Sequence, residues 1–324
     1  MTPLFQYTPN AVTLHPVVNG LSESVRNFSP QAQEAARRFP MRLPLALAQR
    51  ISWGEVDDPL AREFLPNAAE LEAFPGWETD PLQEAAVEPI PGLLQKYAGR
   101  VLLKVTMGCA VHCRFCFRRH ASGAGIPRTL REWEPAMTLI GADHGLREVI
   151  LSGGDPLTLS DRRLSALARR LAGIPHLTRL RVHTRMPVVA PERVTPALTH
   201  WLRATRLTPV MVIHVNHPAE LDPAALAAMA RLTDAGIPLL SQSVLLRGVN
   251  DDSAILAALF ERLADARVIP YYLHLPDPVA GTAHFRVEEE VASGIIRELW
   301  ATLPGYAVPR LAREVPGDLG KRLV

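Results

Sequence analysis

The segment MGCAVHCRFCFRR, residues 107–119, contains all three cysteines of the chain, Cys109, Cys113 and Cys116, in the spacing C-x3-C-x2-C. Thiolates are soft ligands that suit iron–sulfur clusters, zinc or copper(I). A closed structural metal site normally has four protein ligands, whereas this segment offers three thiolates. The spacing therefore favours a cubane cluster in which one iron stays open to bind another molecule.

Two other interpretations of the same spacing remain open. Zinc bound by the cysteines would take His112 or His120 as its fourth ligand, but a zinc knuckle usually shows two paired half-sites, and no second pair occurs in the sequence. Cysteines packed in the core without any ligand are the third interpretation, which is disfavoured because the three lie so close together.

Composition and charge exclude several classes of protein. The chain has 324 residues, 48% of them hydrophobic, and a formal net charge of +2, which gives no electrostatic reason to expect binding to nucleic acid or membranes. No apolar run approaches the roughly 18 residues that a transmembrane helix needs. The N-terminus lacks the basic start and apolar stretch of a secretory signal. Clustered cysteines suit a reducing compartment, so the sequence predicts a cytoplasmic protein.

The hydrophobic pattern divides the chain into three parts. Residues 1–95 predict a helical, loop-rich extension, residues 96–303 alternate short β-branched runs with longer amphipathic ones, and residues 304–324 form a C-terminal segment. Strands separated by helices predict right-handed βαβ units and a parallel sheet, and six units fall short of an eightfold barrel. The predicted strands are 101–106, 148–152, 180–184, 210–215, 239–245 and 268–273; the predicted helices are 30–39, 43–51, 159–171, 191–204, 223–235, 253–264 and 287–303.

Polar or glycine-rich segments follow the C-terminal ends of all six predicted strands. These ends meet on one face of a parallel barrel, which is where active sites lie. The second strand leads into Gly153, Gly154 and Asp155, where the absence of a Cβ lets the backbone approach a ligand closely. Any one polar strand end could be structural, but together they predict ligand contacts, with candidates at His214, Asn216 and Gln242.

Seven segments carry a more specific pattern: VLLKVTMGCAVHCRFCFRRH, VILSGGDPL, HTRMPVV, HVNHPAE, LLRGVNDD, PYYLHLPDPVAGTAHFR and VPRLAREVPGDLGKRLV. They resemble the lysine 2,3-aminomutase family, whose members are radical S-adenosylmethionine (SAM) enzymes that also bind pyridoxal 5′-phosphate (PLP). The resemblance implies a partial (β/α)6 TIM-like barrel with an N-terminal helical extension. It also implies an isomerase that moves the α-amino group of L-lysine to the β carbon, with a [4Fe-4S] cluster on Cys109, Cys113 and Cys116 and SAM on the open iron.

The resemblance also assigns the cofactor residues. Lys321, in the turn PGDLGK at 316–321, would carry PLP as a Schiff base, which needs an amine that can lose its proton in a sheltered pocket. That turn has fewer glycines than in free-lysine mutases. Arg100 corresponds to an arginine near the PLP phosphate. Gly153 and Gly154 correspond to the strand end that meets the methionine part of SAM.

The substrate residues follow from the same resemblance. Arg118 matches the arginine that pairs with the substrate carboxylate, a contact for which bidentate geometry suits arginine. Asp277 and Glu314 match the two acids that hold the side-chain ammonium of lysine, although the second is usually aspartate. Two carboxylates favour a cationic substrate and argue against a glutamate mutase, whose substrate they would repel.

The physiological role rests on a narrower resemblance. The sequence ends three residues after Lys321, as in the short bacterial aminomutase that makes (R)-β-lysine from (S)-α-lysine for a ligase that modifies elongation factor P. A free-lysine 2,3-aminomutase of catabolism or biosynthesis is the alternative within the family. An electron donor such as flavodoxin or ferredoxin is implied in either case. A radical SAM enzyme without PLP and a non-catalytic zinc-binding module are the competing classes, and the sequence leaves the oligomeric state open.

Overall fold

A nine-stranded sheet forms the centre of the computed structural model, which describes residues 28–55 and 57–324. Its spatial order follows the chain: β1 (Leu93–Tyr97), β2 (Arg100–Thr106), β3 (Glu148–Gly153), β4 (Arg179–Thr184), β5 (Thr208–His214), β6 (Leu239–Val244), β7 (Ile269–His274), β8 (Arg310–Arg313) and β9 (Arg322–Leu323). Neighbours from β2 to β8 are parallel, while β1 and β9 pair antiparallel at the two edges. The open, mainly parallel sheet confirms the predicted partial barrel.

Helices precede the sheet and connect its parallel strands. They are α1 (Pro30–Arg38), α2 (Leu45–Ala48), α3 (Pro59–Phe64), α4 (Glu134–Ala142), α5 (Asp161–Ala172), α6 (Met186–Val189), α7 (Pro196–Arg203), α8 (Pro223–Asp234), α9 (Ser253–Asp265) and α10 (Glu289–Thr302). In α5 the buried residues are Leu164, Leu167, Ala168 and Leu171, the spacing of a single helix face. Within the described part of the chain, no helix has the length and apolar character needed to cross a membrane.

All six predicted strands are present, and the differences lie in short elements. The predicted helix at 191–204 is a 3-10 turn followed by α7, because the Thr195 hydroxyl accepts from the Leu198 amide and starts a new helix at Pro196. The helix predicted at 43–51 is reduced to α2. Strands β1, β8 and β9 and helices α3, α4 and α6 were not predicted, since runs this short or weakly periodic carry little signal.

The described part of the N-terminal extension is anchored on the cysteine segment by buried charge. The fully buried Arg114 donates from Nε to Glu70 Oε1 at 2.8 Å and from Nη2 to Glu70 Oε2 at 2.5 Å. Arg119 donates to the same carboxylate at 2.6 Å, and the Phe39 ring lies 4.8 and 4.7 Å from the two guanidinium carbons. Phe64, on α3, belongs to the hydrophobic core that the sheet strands share. The extension therefore packs as part of the barrel, while residues 1–27 lie outside the described residues.

Replacing Glu70 should destabilise the protein strongly. Glu70→Ala leaves two buried guanidinium groups without their carboxylate, and breaking a buried ion pair in this way costs about 3–5 kcal/mol. The exposed pair of Glu134 with Arg170 offers a matched control, and Glu134→Ala should change the free energy of unfolding little. Chemical denaturation of both variants measures the difference, and equal losses would contradict the anchoring role of Glu70.

Candidate active site

A cavity of about 400 Å³ opens at the C-terminal edge of the parallel strands. It is lined by residues that end or follow β2 to β7 and by the C-terminal segment, so the cysteines and Lys321 face one space. The predicted site residues that line it are Arg100, Cys109, Cys113, Cys116, Arg118, Gly153, Gly154, Asp155, His214, Gln242, Asp277, Glu314 and Lys321. His214 and Gln242 are register partners on β5 and β6.

The cysteine segment is fixed by contacts from both sides. Arg42 of the N-terminal extension donates to the Cys109 carbonyl at 2.6 Å. Arg185, which follows β4, places Nη1 2.9 Å from Cys113 Sγ. Burial raises the pKa of Cys113 to about 12, although Arg185 lowers it. Thiols buried in this way ionise readily only with a strong counter-charge, which a bound metal supplies.

The zinc alternative finds little support in the surrounding histidines. His112 stacks on Phe39 at 5.1 Å between ring centroids, and its Nδ1 lies 2.6 Å from the Pro40 carbonyl. The Nε2 atom of His120 lies 2.9 Å from the Ala280 carbonyl. Among the described residues, no three His, Cys, Asp or Glu side chains converge on a single metal ion. A cluster does not require such convergence, because each thiolate binds a different iron.

The glycine pair after β3 is required first by the protein itself. Gly153 has φ +115°, and a Cβ on Gly154 would lie 2.5 Å from the Gly108 carbonyl oxygen. The Gly154 amide donates to Thr106 at 2.6 Å, and the Asp155 amide donates to Gly108 at 2.8 Å. The lack of side chains thus lets the cysteine segment lie against β3. The sequence analysis had explained the two glycines by the close approach of a ligand.

The side chains of Asp155 and Asn216, which were predicted to contact a cofactor, bind groups of the protein. The Asp155 carboxylate accepts from the Thr184 hydroxyl at 2.7 Å and from the Arg185 amide at 2.7 Å, which fixes the end of β4. Asn216 is fully buried and does not line the cavity. Its carboxamide donates to Glu63 at 2.9 Å and accepts from the Val244 amide at 2.9 Å. The end of a strand does not determine where a side chain points, and contact of Asn216 with a cofactor stays a prediction.

Glu63 and Glu220 are two carboxylates near the cysteine segment that the sequence analysis missed. Both accept from Arg185 Nη2, at 2.7 and 2.5 Å, so one guanidinium lies between two buried carboxylates and the Cys113 thiol. Burial, together with the nearby Glu220, raises the pKa of Glu63 to about 8. The only signal in the sequence was the position of Arg185 after a strand, since nothing marks Glu63 within α3.

Lys321 lies beside a second, unpredicted lysine. Lys321 Nζ contacts Glu314 Oε1 at 2.5 Å, and Lys96 Nζ contacts Glu314 Oε2 at 2.6 Å. The Tyr97 hydroxyl adds a hydrogen bond to Glu314 at 2.9 Å. Burial opposes ionisation of Glu314, but Lys321 and the other donors lower its pKa to about 2. Glu314 is thus an ionised carboxylate already engaged by three donors of the protein.

Asp277 is the acid of the cavity that is left without such donors. In the described part of the chain no hydrogen bond or ion pair is formed by its carboxylate, although Lys321 and Glu314 lie near enough to affect it. Burial raises its pKa to about 7, and Glu314 adds to the rise while Lys321 opposes it. A carboxyl group in this state gains most from a cationic ligand, which would provide the missing partner.

Three half-buried histidines line the cavity: His183, His214 and His274. Burial lowers the pKa of each, so all three are neutral near pH 7. Among the described residues, Nε2 of His183 and Nε2 of His214 have no hydrogen-bond partner. The His214 ring also stacks on Phe115 at 5.5 Å. Neutral imidazoles with free nitrogens can hydrogen-bond a polar ligand without adding charge.

Comparison with known proteins identifies the class and then the family. Residues 103–202 match the family model of the Radical SAM superfamily, so the fold and the cysteine site belong to a radical SAM enzyme. The chain is 44% identical over 312 residues to an L-lysine 2,3-aminomutase of Escherichia coli (strain K12), covering 94% of this chain and 91% of that protein. The chain belongs to the lysine 2,3-aminomutase family, and it is an isomerase.

Two further relatives illustrate the range of similarity. An L-lysine 2,3-aminomutase of Haemophilus influenzae is 43% identical over 293 residues, covering 90% of this chain and 87% of that protein. Among solved structures, Streptococcus suis SuiB superposes with a TM-score of 0.49 at 11% identity, covering 68% of this chain and 50% of that chain. Membership of the radical SAM superfamily implies a [4Fe-4S] cluster and SAM.

Adding one methyl group at Gly154 should disrupt the cysteine segment. Gly154→Ala forces a Cβ against backbone atoms of Met107 and Gly108, and overpacking of this kind costs up to about 3 kcal/mol. Gly141→Ala is the control, since Gly141 lies in α4 with open space around it and should gain about 0.5–1 kcal/mol. Chemical denaturation distinguishes them, and a Gly154→Ala variant as stable as the parent would refute the close approach.

The titration of Asp277 should appear in the pH dependence of stability. Its pKa of about 7 in the folded protein lies above the ~3.9 of an unfolded aspartate, so stability falls as pH rises between these values. Asp277→Asn removes this loss. The variant should therefore have a higher unfolding midpoint than the parent near pH 8, with the gap shrinking towards about pH 5. Thermal unfolding at both pH values tests this, and a gap independent of pH would contradict it.

Proposed function

We propose that this protein is a PLP-dependent L-lysine 2,3-aminomutase that converts (S)-α-lysine to (R)-β-lysine. The observation that carries the proposal is the shared cavity, which is lined by the cysteine segment at one part and by Lys321 at another. The cluster with SAM and the PLP on Lys321 would then act on the same bound substrate. Family membership gives the reaction class, and the cavity supports the choice of cofactors and substrate.

The cluster and SAM fit the part of the cavity around the cysteine segment. Cys109, Cys113 and Cys116 would hold the cluster, with Arg185 donating to the Cys113 sulfur. The close contact of Gly154 with Met107 and Gly108 would hold the cysteine segment in place for the cluster. His214 and Gln242, adjacent on two strands, would hydrogen-bond SAM.

PLP fits the part of the cavity around Lys321. Lys321 would bind it, and ionised Glu314 would keep a proton close to the Lys321 amine. Arg100, whose guanidinium carbon lies 4.0 Å from the centre of the Tyr97 ring, would face the phosphate. When bound, SAM would supply a radical that takes hydrogen from the β carbon, and PLP would supply the π system that lets nitrogen migrate.

The charges of the cavity support lysine as the substrate. Arg118 would bind the α-carboxylate, and Asp277 would bind the side-chain ammonium with its unpartnered carboxylate. Glu314 is assigned a smaller part in ammonium binding, because three donors of the protein already engage it. A substrate with a second carboxylate in place of the ammonium would be repelled by both acids.

The finer physiological role is part of the same proposal. We infer that the product serves β-lysylation of elongation factor P by its lysyl ligase, with flavodoxin or ferredoxin as electron donor, in the cytoplasm. Supply of free β-lysine to catabolism or biosynthesis is the second candidate. Transfer of the enzyme's product to elongation factor P by the ligase of the same organism supports the first role, while a ligase that rejects the product supports the second.

Production of β-lysine by the anaerobically purified protein is the direct test. After iron, sulfide and PLP analysis, the enzyme should convert L-lysine to (R)-β-lysine in the presence of SAM and a reductant, as resolved by chiral chromatography. Lys321→Ala should lose activity, whereas Lys96→Ala should keep bound PLP. Borohydride reduction and peptide mapping should find the pyridoxyl group on Lys321. Full activity of Lys321→Ala, or labelling confined to Lys96, would overturn the PLP assignment.

A further inference from the structure

Arg118 is held by a carboxylate of the N-terminal extension, a region in which the sequence analysis found no site residue. Its Nε lies 3.0 Å from both carboxylate oxygens of Glu84, and its Nη2 lies 2.6 Å from Glu84 Oε1. The two side chains are 11% and 15% exposed, so the pair is largely shielded yet still borders the cavity. Glu84 belongs to the N-terminal extension, 34 positions away in sequence.

The local backbone is built to place Glu84 at this point. Gln83 has φ +51°, one of two non-glycine residues with positive φ in the described part of the chain. A strained conformation of this kind persists only where surrounding contacts fix it. Asp80 Oδ1 accepts from the Glu84 amide at 3.0 Å, and Glu88 accepts from Lys104 at 2.7 Å on the other side of the turn. The segment is thus anchored on both sides of the residue that reaches Arg118.

The donors of Arg118 divide into those that the protein uses and those that remain. A guanidinium has five N–H groups in a fixed planar fork. Glu84 takes Nε–H and one N–H of Nη2, while Nη1 lies 3.2 Å from the Gly153 carbonyl and 3.4 Å from the Ser152 hydroxyl. One N–H of Nη2 is therefore unused, and Nη1 beside it makes only these two longer contacts. An N–H from each terminal nitrogen can face the two oxygens of a second carboxylate once the Ser152 contact is given up.

We propose that Glu84 is a positioning residue that holds the inner edge of Arg118, so that the outer pair of N–H groups faces the carboxylate of the amino-acid substrate. The inference rests on the proposed function, in which Arg118 binds that carboxylate. Without Glu84 the guanidinium would turn about its flexible stem, and each substrate molecule would have to order it on binding. Glu84 acts only through Arg118 and does not touch the substrate.

Steady-state kinetics of the reconstituted holoenzyme test the proposal. Glu84→Gln keeps the size of the side chain but loses the charged bidentate contact, and it should raise KM for L-lysine about tenfold, as loss of a supporting partner typically does. The kcat value should change little. The KM of Glu84→Asp should lie between those of the parent and Glu84→Gln. Glu72→Gln is the control, since this exposed residue of the same extension loses the same charge and should leave both parameters unchanged.

Arg118 variants separate the possible outcomes. Arg118→Gln should also raise KM, and adding Glu84→Gln to it should have no further effect, because Glu84 has nothing left to hold. An unchanged KM in Arg118→Gln would overturn the carboxylate assignment in the proposed function. A raised KM in Arg118→Gln with an unchanged KM in Glu84→Gln would overturn the positioning role alone. A lowered KM in Glu84→Gln would show that Glu84 competes with the substrate, which also overturns it.

Discussion

The site depends on the contact between the cysteine segment and the glycine pair after β3. The position that a Cβ of Gly154 would take is already filled by backbone atoms of Met107 and Gly108. This contact fixes the loop that carries the three thiols against the end of β3. Asp155 continues the connection to the end of β4, where Arg185 turns back to the Cys113 sulfur. The position of the cysteine segment is therefore fixed by backbone packing.

The N-terminal extension supplies glutamates that pair with arginines around the cysteine site. Each of three arginines around the cysteine site binds a glutamate of the extension, and each contact is 2.7 Å or shorter. Buried ion pairs add little net stability, since desolvation offsets their attraction, but they restrict the geometry of the groups they join. The extension thus fixes side chains of the barrel as well as covering it. The pairs are Glu63 with Arg185, Glu70 with Arg114 and Glu84 with Arg118.

The sequence could predict the parts of the site that depend on residues close together in the chain. The three cysteines and the six strand ends are of this kind, and the strand ends lead to the correct edge of the sheet. It could not predict the partners that the fold brings from far away. In the sequence, nothing distinguishes Glu84 and Lys96 from ordinary surface residues. Their place in the site follows from their contacts with Arg118 and Glu314. The sequence also could not predict the direction of the Asn216 side chain, which is buried and donates to Glu63.

The distribution of charge over the cavity gives a physical basis for substrate choice. Arg118 is neutralised by Glu84, so a carboxylate is recognised there by the N–H groups of the two terminal nitrogens more than by net charge. In the part of the cavity around Lys321, Glu314 forms ion pairs with Lys96 and Lys321. Asp277 is left as the carboxyl group that forms no hydrogen bond or ion pair with the described chain, and burial raises its pKa to about 7. A ligand with a cationic end supplies that charge, whereas a neutral ligand of the same length leaves a buried carboxylate unpaired or forces it to stay protonated.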